Sequence, residues 1–142
     1  MEPSQARAEL LAQHDRLRQL FTEVQASADR LRAGETGPAD FQRRLAELRR
    51  EFAAHNESEE RLLEPILRLD FAWGPARIAR MLEEHGAEHA SFRDALAGPE
   101  LEVAARFADL VEEIDAHIAA EERTFLSPGV LRDDMVTLED TG

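Results

Sequence analysis

The chain contains no cysteine. That absence excludes disulfides, thiolate metal sites, iron–sulfur clusters and cysteine nucleophiles. Tyrosine is missing too, so neither a phenolate ligand nor a tyrosyl radical is available. Lysine is also absent: all 17 basic residues are arginine, a bias that suggests a GC-rich bacterial genome. Positive charge is scarce, with 17 basic against 30 acidic residues and a net charge of −13. Nucleic acid and anionic membranes are therefore poor partners. No apolar run approaches the roughly 20 residues that span a bilayer. The N-terminal stretch MEPSQARAELLAQHD lacks the continuous apolar segment of a signal peptide. The expectation is a soluble, cytoplasmic protein without membrane or nucleic-acid partners.

What is present is enough for one domain. The 142 residues are 43% hydrophobic and 33% charged, which supports a buried core and a solvated surface. Proline and glycine punctuate the chain at GETGPAD (34–40), WGPA (73–76), AGPE (97–100) and LSPG (126–129). Pro38, Pro75 and Pro99 each stand where a helix would begin, at the first-turn position that proline tolerates. Between these marks lie four long segments rich in Ala, Leu, Glu and Arg, all good helix formers.

Each segment carries an apolar seam at steps of three and four. The first runs through Leu10, Leu17, Phe21, Val24 and Leu31, and the second through Phe41, Leu48, Phe52, Leu62, Ile66 and Leu69. The third runs through Ile78, Leu82, Phe92 and Leu96, and the fourth through Val103, Phe107, Leu110 and Ile114. Four one-faced helices with short connections predict an all-α, up-down-up-down antiparallel four-helix bundle over residues 1–126. Helix three has little length beyond the layer of polar seam residues described next, so it should stop short, with residues 97–102 covering part of the gap. Residues 127–142 lack a sustained period and follow a proline, so they read as a tail laid on the bundle or left loose, with no protein partner identifiable for it.

Polar residues interrupt these seams. All five histidines, His14, His55, His85, His89 and His117, fall on them. Seam positions are about two in seven of a heptad, so chance alone would place all five there roughly once in 500. A lone histidine on an apolar face is an ordinary core residue; five are not. Depth agrees. His14 and the pair His55/Glu59 stand at matching distances either side of the first turn, as His55/Glu59 and His85/His89 do across the second. His117 and Glu121 join the same layer from helix four.

Glu59 and Glu121 each follow a histidine by four positions, in HNESE (55–59) and HIAAE (117–121), and so share its helix face. Glu57, Glu60, Glu83, Glu84, Glu113 and Glu122 read as solvated surface groups. An unpaired buried carboxylate is costly, whereas a metal compensates two carboxylates and five imidazoles together. Seven ligands exceed one tetrahedral zinc. Histidines four apart are about 6 Å apart along the axis, a span that suits two metals roughly 3.5–4 Å apart. The ferritin-like alternative needs Glu-x-x-His on two helices, and none of His85, His89 or His117 has a glutamate three residues before it.

The order H…HxxxE…HxxxH…HxxxE on a four-helix bundle resembles hemerythrin and the hemerythrin-like, or HHE cation-binding, domains, over about residues 8–127. The resemblance implies two iron ions bridged by an oxo or hydroxo group and two carboxylates. By position, His85, His89 and His117 would hold one iron and His14 and His55 the other, with Glu59 and Glu121 as the bridges. Two octahedral irons offer about twelve positions, and this set leaves one open, on the iron of His14 and His55. O2, peroxide or nitric oxide could bind there, inside an apolar wall drawn from Leu10, Leu17, Phe52, Leu62 and Ile114. Oxygen storage, delivery or sensing is the leading expectation, since no acid or base stands apart from the ligands. Turnover of hydrogen peroxide or nitric oxide, and iron handling, are the alternatives.

One choice remains on the fourth helix. The oxygen carriers of that family have an aspartate five residues after the histidine, which would select Glu122. At about 100° per residue, however, Glu121 lies roughly 40° from His117 and Glu122 roughly 140°. Glu121 is therefore expected in the centre and Glu122 in solvent.

Overall fold

The computed structural model describes residues 2–68, 74–131 and 133. Four helices follow one another, α1 (Pro3–Arg32), α2 (Pro38–Leu67), α3 (Pro75–Leu96) and α4 (Glu100–Arg123). α1 packs against α2 and α4, and α3 against the same two, so the helices form a four-cornered antiparallel bundle. The expected all-α four-helix bundle is the fold. Among the described residues no helix is long and apolar enough to cross a membrane.

The turn signals act where the sequence puts them. Gly34, at φ +74°, ends α1: its N–H reaches the carbonyl of Leu31 and that of Glu35 reaches Arg30. This is the left-handed helix stop that glycine favours. Pro38 and Pro75 open α2 and α3 behind Gly37 and Gly74. Pro99 departs from expectation, because it caps α4 from outside instead of opening it, its carbonyl accepting the N–H of Val103. The α3–α4 connection is thus only residues 97–99, and residues 100–102, expected to lie across a gap, form the first turn of α4. Pro65 lies inside α2, where it removes an internal hydrogen bond; the helix ends soon after, at Leu67.

The seams are buried with local exceptions. On α2 the buried residue after Glu59 is Leu63 and Leu62 is only half-buried, since either a three- or a four-residue step continues a 3.6-residue period. Leu82 and Leu31 are likewise half-buried, and Leu69 lies outside the described residues. Ser27 is fully buried and donates to Asp40 Oδ2 at 2.5 Å. Arg30 reaches the same oxygen at 3.0 Å, which ties the end of α1 to the start of α2.

The apolar core falls into two clusters. The larger joins Leu17, Phe21, Val24, Phe41, Leu48, Phe52, Phe92, Leu96, Phe107 and Ile114 at the end that holds the α1–α2 and α3–α4 turns. The smaller joins Ala6 and Leu10 of α1, Leu63, Ile66 and Leu67 of α2, Ile78 of α3, and Phe125, Leu126 and Leu131. The chain after α4 therefore folds back onto the bundle as far as it is described. Arg7 Nε donates to the carbonyl of Leu126 at 2.7 Å, and Ser4 N donates to Asp133 Oδ1 at 2.9 Å. Every seam histidine lies between residues of these two clusters.

Candidate metal centre

Each helix brings its polar residues to one level because the neighbouring seam positions are anchored in the clusters above and below. His14 lies between Leu10 and Leu17, His55 and Glu59 between Phe52 and Leu63, His85 and His89 between Ile78 and Phe92, and His117 and Glu121 between Ile114 and Phe125. Six of the seven are buried, and the His117 side chain is 11% exposed.

Two groups of potential ligands result. His85, His89, His117 and Glu121 form one, and His14, His55, Glu59 and Glu121 the other; within each, one ligand atom per residue lies within 4.8 Å of the rest. Glu121 belongs to both. Glu59 also reaches across, with Oε1 at 3.3 Å from His14 Nε2 and 3.2 Å from His55 Nε2, and Oε2 at 2.5 Å from His85 Nε2. Glu121 Oε2 is 3.3 Å from His14 Nε2, while its Oε1 is 2.9 Å from His85 Nδ1 and 3.4 Å from His89 Nε2. His117 Nε2 contacts Glu121 as well.

The donor chemistry fits cations. His55 Nε2, Glu59 Oε2, both ring nitrogens of His85, His117 Nε2 and both oxygens of Glu121 are buried without a hydrogen-bond partner, although they crowd one another. Buried polar atoms are ordinarily paired. Atoms that converge at short range without hydrogen-bond geometry are what a shared positive ion would satisfy.

The protons reflect the same crowding. Burial opposes charge on His14 and His85, but the Glu121 and Glu59 carboxylates outweigh it and push their pKa values up to about 9 and about 10. Burial likewise opposes charge on Glu59, yet His14, His55 and His85 hold it at about 2. Glu121 is held far below the usual carboxylate range against its own burial by His117, His14, His85 and His89. His89 is pushed down from its ordinary value, first by burial and then by the charge on His85.

Outer partners fix several rings, and these were not legible in the sequence. His55 Nδ1 donates to Gln13 Oε1 at 2.8 Å, and His117 Nδ1 contacts Glu88. Glu122 is a correction. It does not stand in solvent: it is half-buried, with Oε2 3.2 Å from His14 Nδ1 and Oε1 accepting from Arg18 at 2.7 Å. The 140° offset does turn it away from His117, but toward α1 instead of outward. Glu57, Glu60, Glu83, Glu84 and Glu113 are exposed as expected. Of the expected apolar wall, Leu10, Leu17, Phe52 and Ile114 are buried, with the Phe52 ring 5.2 Å from that of His89.

Clefts reach the layer from opposite sides. One of about 320 Å³ between α3 and α4 ends on His85, His117 and Glu121, with Met81 and Phe125 in its wall. Another of about 330 Å³ between α1 and α2 ends on His55, beside Gln13 and Leu17.

A four-helix bundle with a buried layer of histidines and carboxylates, gathered into two overlapping ligand groups, defines a metal-binding helical domain. The hemerythrin HHE cation-binding domain matches residues 5–127. The chain belongs to that family. No curated protein and no solved structure gives a match.

Proposed function

We propose that the chain is a non-haem di-iron protein that binds O2 or a related small ligand, for oxygen storage, delivery or sensing. His85, His89 and His117 would hold one iron and His14 and His55 the other, with Glu59 and Glu121 spanning both. The observation that carries this reading is the sharing of Glu121 between two ligand groups, each of the size that one ion needs. When bound, a reduced di-iron centre supplies the electrons that O2 binding requires.

The chain's own residues set the rest. His55 Nδ1, bound to Gln13, leaves Nε2 as the ligand atom. The cleft between α1 and α2 gives a small molecule an approach to His55 past Leu17 and Ala12. Leu17, Phe52 and Ile114 belong to the adjoining apolar cluster, which closes the layer on that side of the bundle.

Metal analysis after anaerobic loading with Fe(II) should find two irons per chain. The reduced protein, mixed with O2, should change its visible spectrum and recover under vacuum. One zinc per chain after growth with ample iron would refute the di-iron reading. Irreversible oxidation with O2 release from added peroxide would replace carriage with catalysis.

A further inference from the structure

Arg18 and Glu122 remain once the seven residues of the centre are accounted for. Glu122 divides its two oxygens between two partners. Oε1 accepts from Arg18 Nη2 at 2.7 Å, and Oε2 accepts from Arg18 Nη1 at 3.2 Å and from His14 Nδ1 at 3.2 Å. The guanidinium also donates through Nε to Asp115 Oδ1 at 2.9 Å, so it lies fixed between two carboxylates of α4. Arginine's planar fork suits this two-sided grip better than a point charge would. His14 itself is fully buried, and its other nitrogen, Nε2, faces Glu59 and Glu121 at 3.3 Å each.

We infer that Glu122, clamped by Arg18, is a positioning residue for His14: it takes the Nδ1–H and so fixes the tautomer that presents Nε2 to the metal position of His14 and His55. The inference rests on the two-metal reading of the preceding section. It also separates the two histidines of that position. His55 donates to the neutral amide oxygen of Gln13, whereas His14 donates to a carboxylate, which makes its ring the stronger electron donor. Glu122 thus serves the centre without being a ligand, which is how a carboxylate so close in sequence to Glu121 is used.

The test is anaerobic Fe(II) titration with a competing chelator, which resolves the two affinities, alongside thermal melts of the metal-free chains. Loss of such an outer partner costs about 10–100-fold in metal affinity. Glu122→Ala should weaken one of the two Fe(II) affinities by that factor and leave the other within about twofold, beyond any loss of melting temperature. Glu122→Gln, which keeps an acceptor oxygen, should recover part of the loss. Arg18→Met should weaken the same single site, and decides the matter if Glu122→Ala does not fold. Asp115→Asn, which frees only the far side of the guanidinium, should leave both affinities within about twofold. Two wild-type affinities in Glu122→Ala would overturn the inference and reduce the pair to a surface contact. Loss of both irons together in Glu122→Ala would overturn it in the other direction, making Glu122 a bridge. A wild-type chain that binds fewer than two Fe(II) would refute the parent reading instead.

Discussion

Replacing Phe125 by alanine tests the small cluster and the α3–α4 cleft together. Phe125 is 6% exposed, packs in the cluster with Leu10, Ile66 and Leu131, and sets its ring 5.9 Å from that of His85 at 81°. A buried Phe→Ala change costs about 3–5 kcal/mol, and an edge-on aromatic contact about 0.5–1.5 kcal/mol of that. One side of the ring lines the cleft, so the lower part of the range applies, about 3–4 kcal/mol. At roughly 3–4 °C per kcal/mol for a chain of this size, the melting temperature should fall by roughly 10–15 °C. Phe125→Leu, closer in volume, should cost less than about 1.5 kcal/mol. Denaturant melts of the metal-free protein measure the first effect. Release of bound metal to excess chelator measures the second, because Phe125→Ala also widens the approach to His85 and should speed release. Unchanged stability would mean that residues 124–131 do not close the core. Lowered stability with an unchanged release rate would refute the α3–α4 cleft as the exit.

The shared carboxylate makes a prediction of its own: Glu121→Ala should abolish binding of both metals, whereas His117→Ala should leave one per chain, read by metal analysis after identical loading. Metal loading at about pH 7.5 should release close to two protons, seen as a buffer-dependent heat. His14 and His85, with pKa values up to about 9 and about 10, carry protons in the metal-free chain and must lose them to bind. By the same sign, metal binding weakens as the pH falls. The Asp40 carboxyl, held at about 2 first by the Ser27 hydroxyl and then by Arg30, stabilises the fold above its ordinary pKa of 3.8 and loses that effect as pH falls through about 2. The gap in melting temperature between the wild type and Asp40→Asn should therefore close as pH drops from about 5 to about 2, and a constant gap would refute the contribution.

The bundle and the position of its polar layer are legible because both follow from spacing along single helices. His55 and Glu59 share a face by arithmetic, and Gly34 and Pro38 mark a turn by conformational preference. What was not legible depends on contacts between helices. No periodicity says that Glu122 of α4 meets His14 and Arg18 of α1, or that Gln13 turns toward His55 and Glu88 toward His117. The turn-forming residues 97–100 show the limit of local signals. A proline can precede the first helical turn as well as open it, and Pro99 does the former. Residues 127–131 carry no period because they pack as a short irregular closure, with Leu131 as the anchor.

The division of the apolar interior by a charged stratum gives the domain a fault line. The smaller cluster brings Ala6 and Leu10 of the first helix and Phe125, Leu126 and Leu131 after the last together over Leu63, Ile66, Leu67 and Ile78. Metal ions ligated from all four helices would act as rivets across that line, and their removal leaves mutually crowded imidazoles and carboxylates in their place. Opening would then start at the termini, as a sub-global event well below the free energy of complete unfolding. Limited proteolysis in the presence of a chelator should accordingly trim near residues 6–10 and 125–131 before it touches the helices around Phe52 and Phe107. A protein built this way carries a record of its metal supply in how long its ends survive.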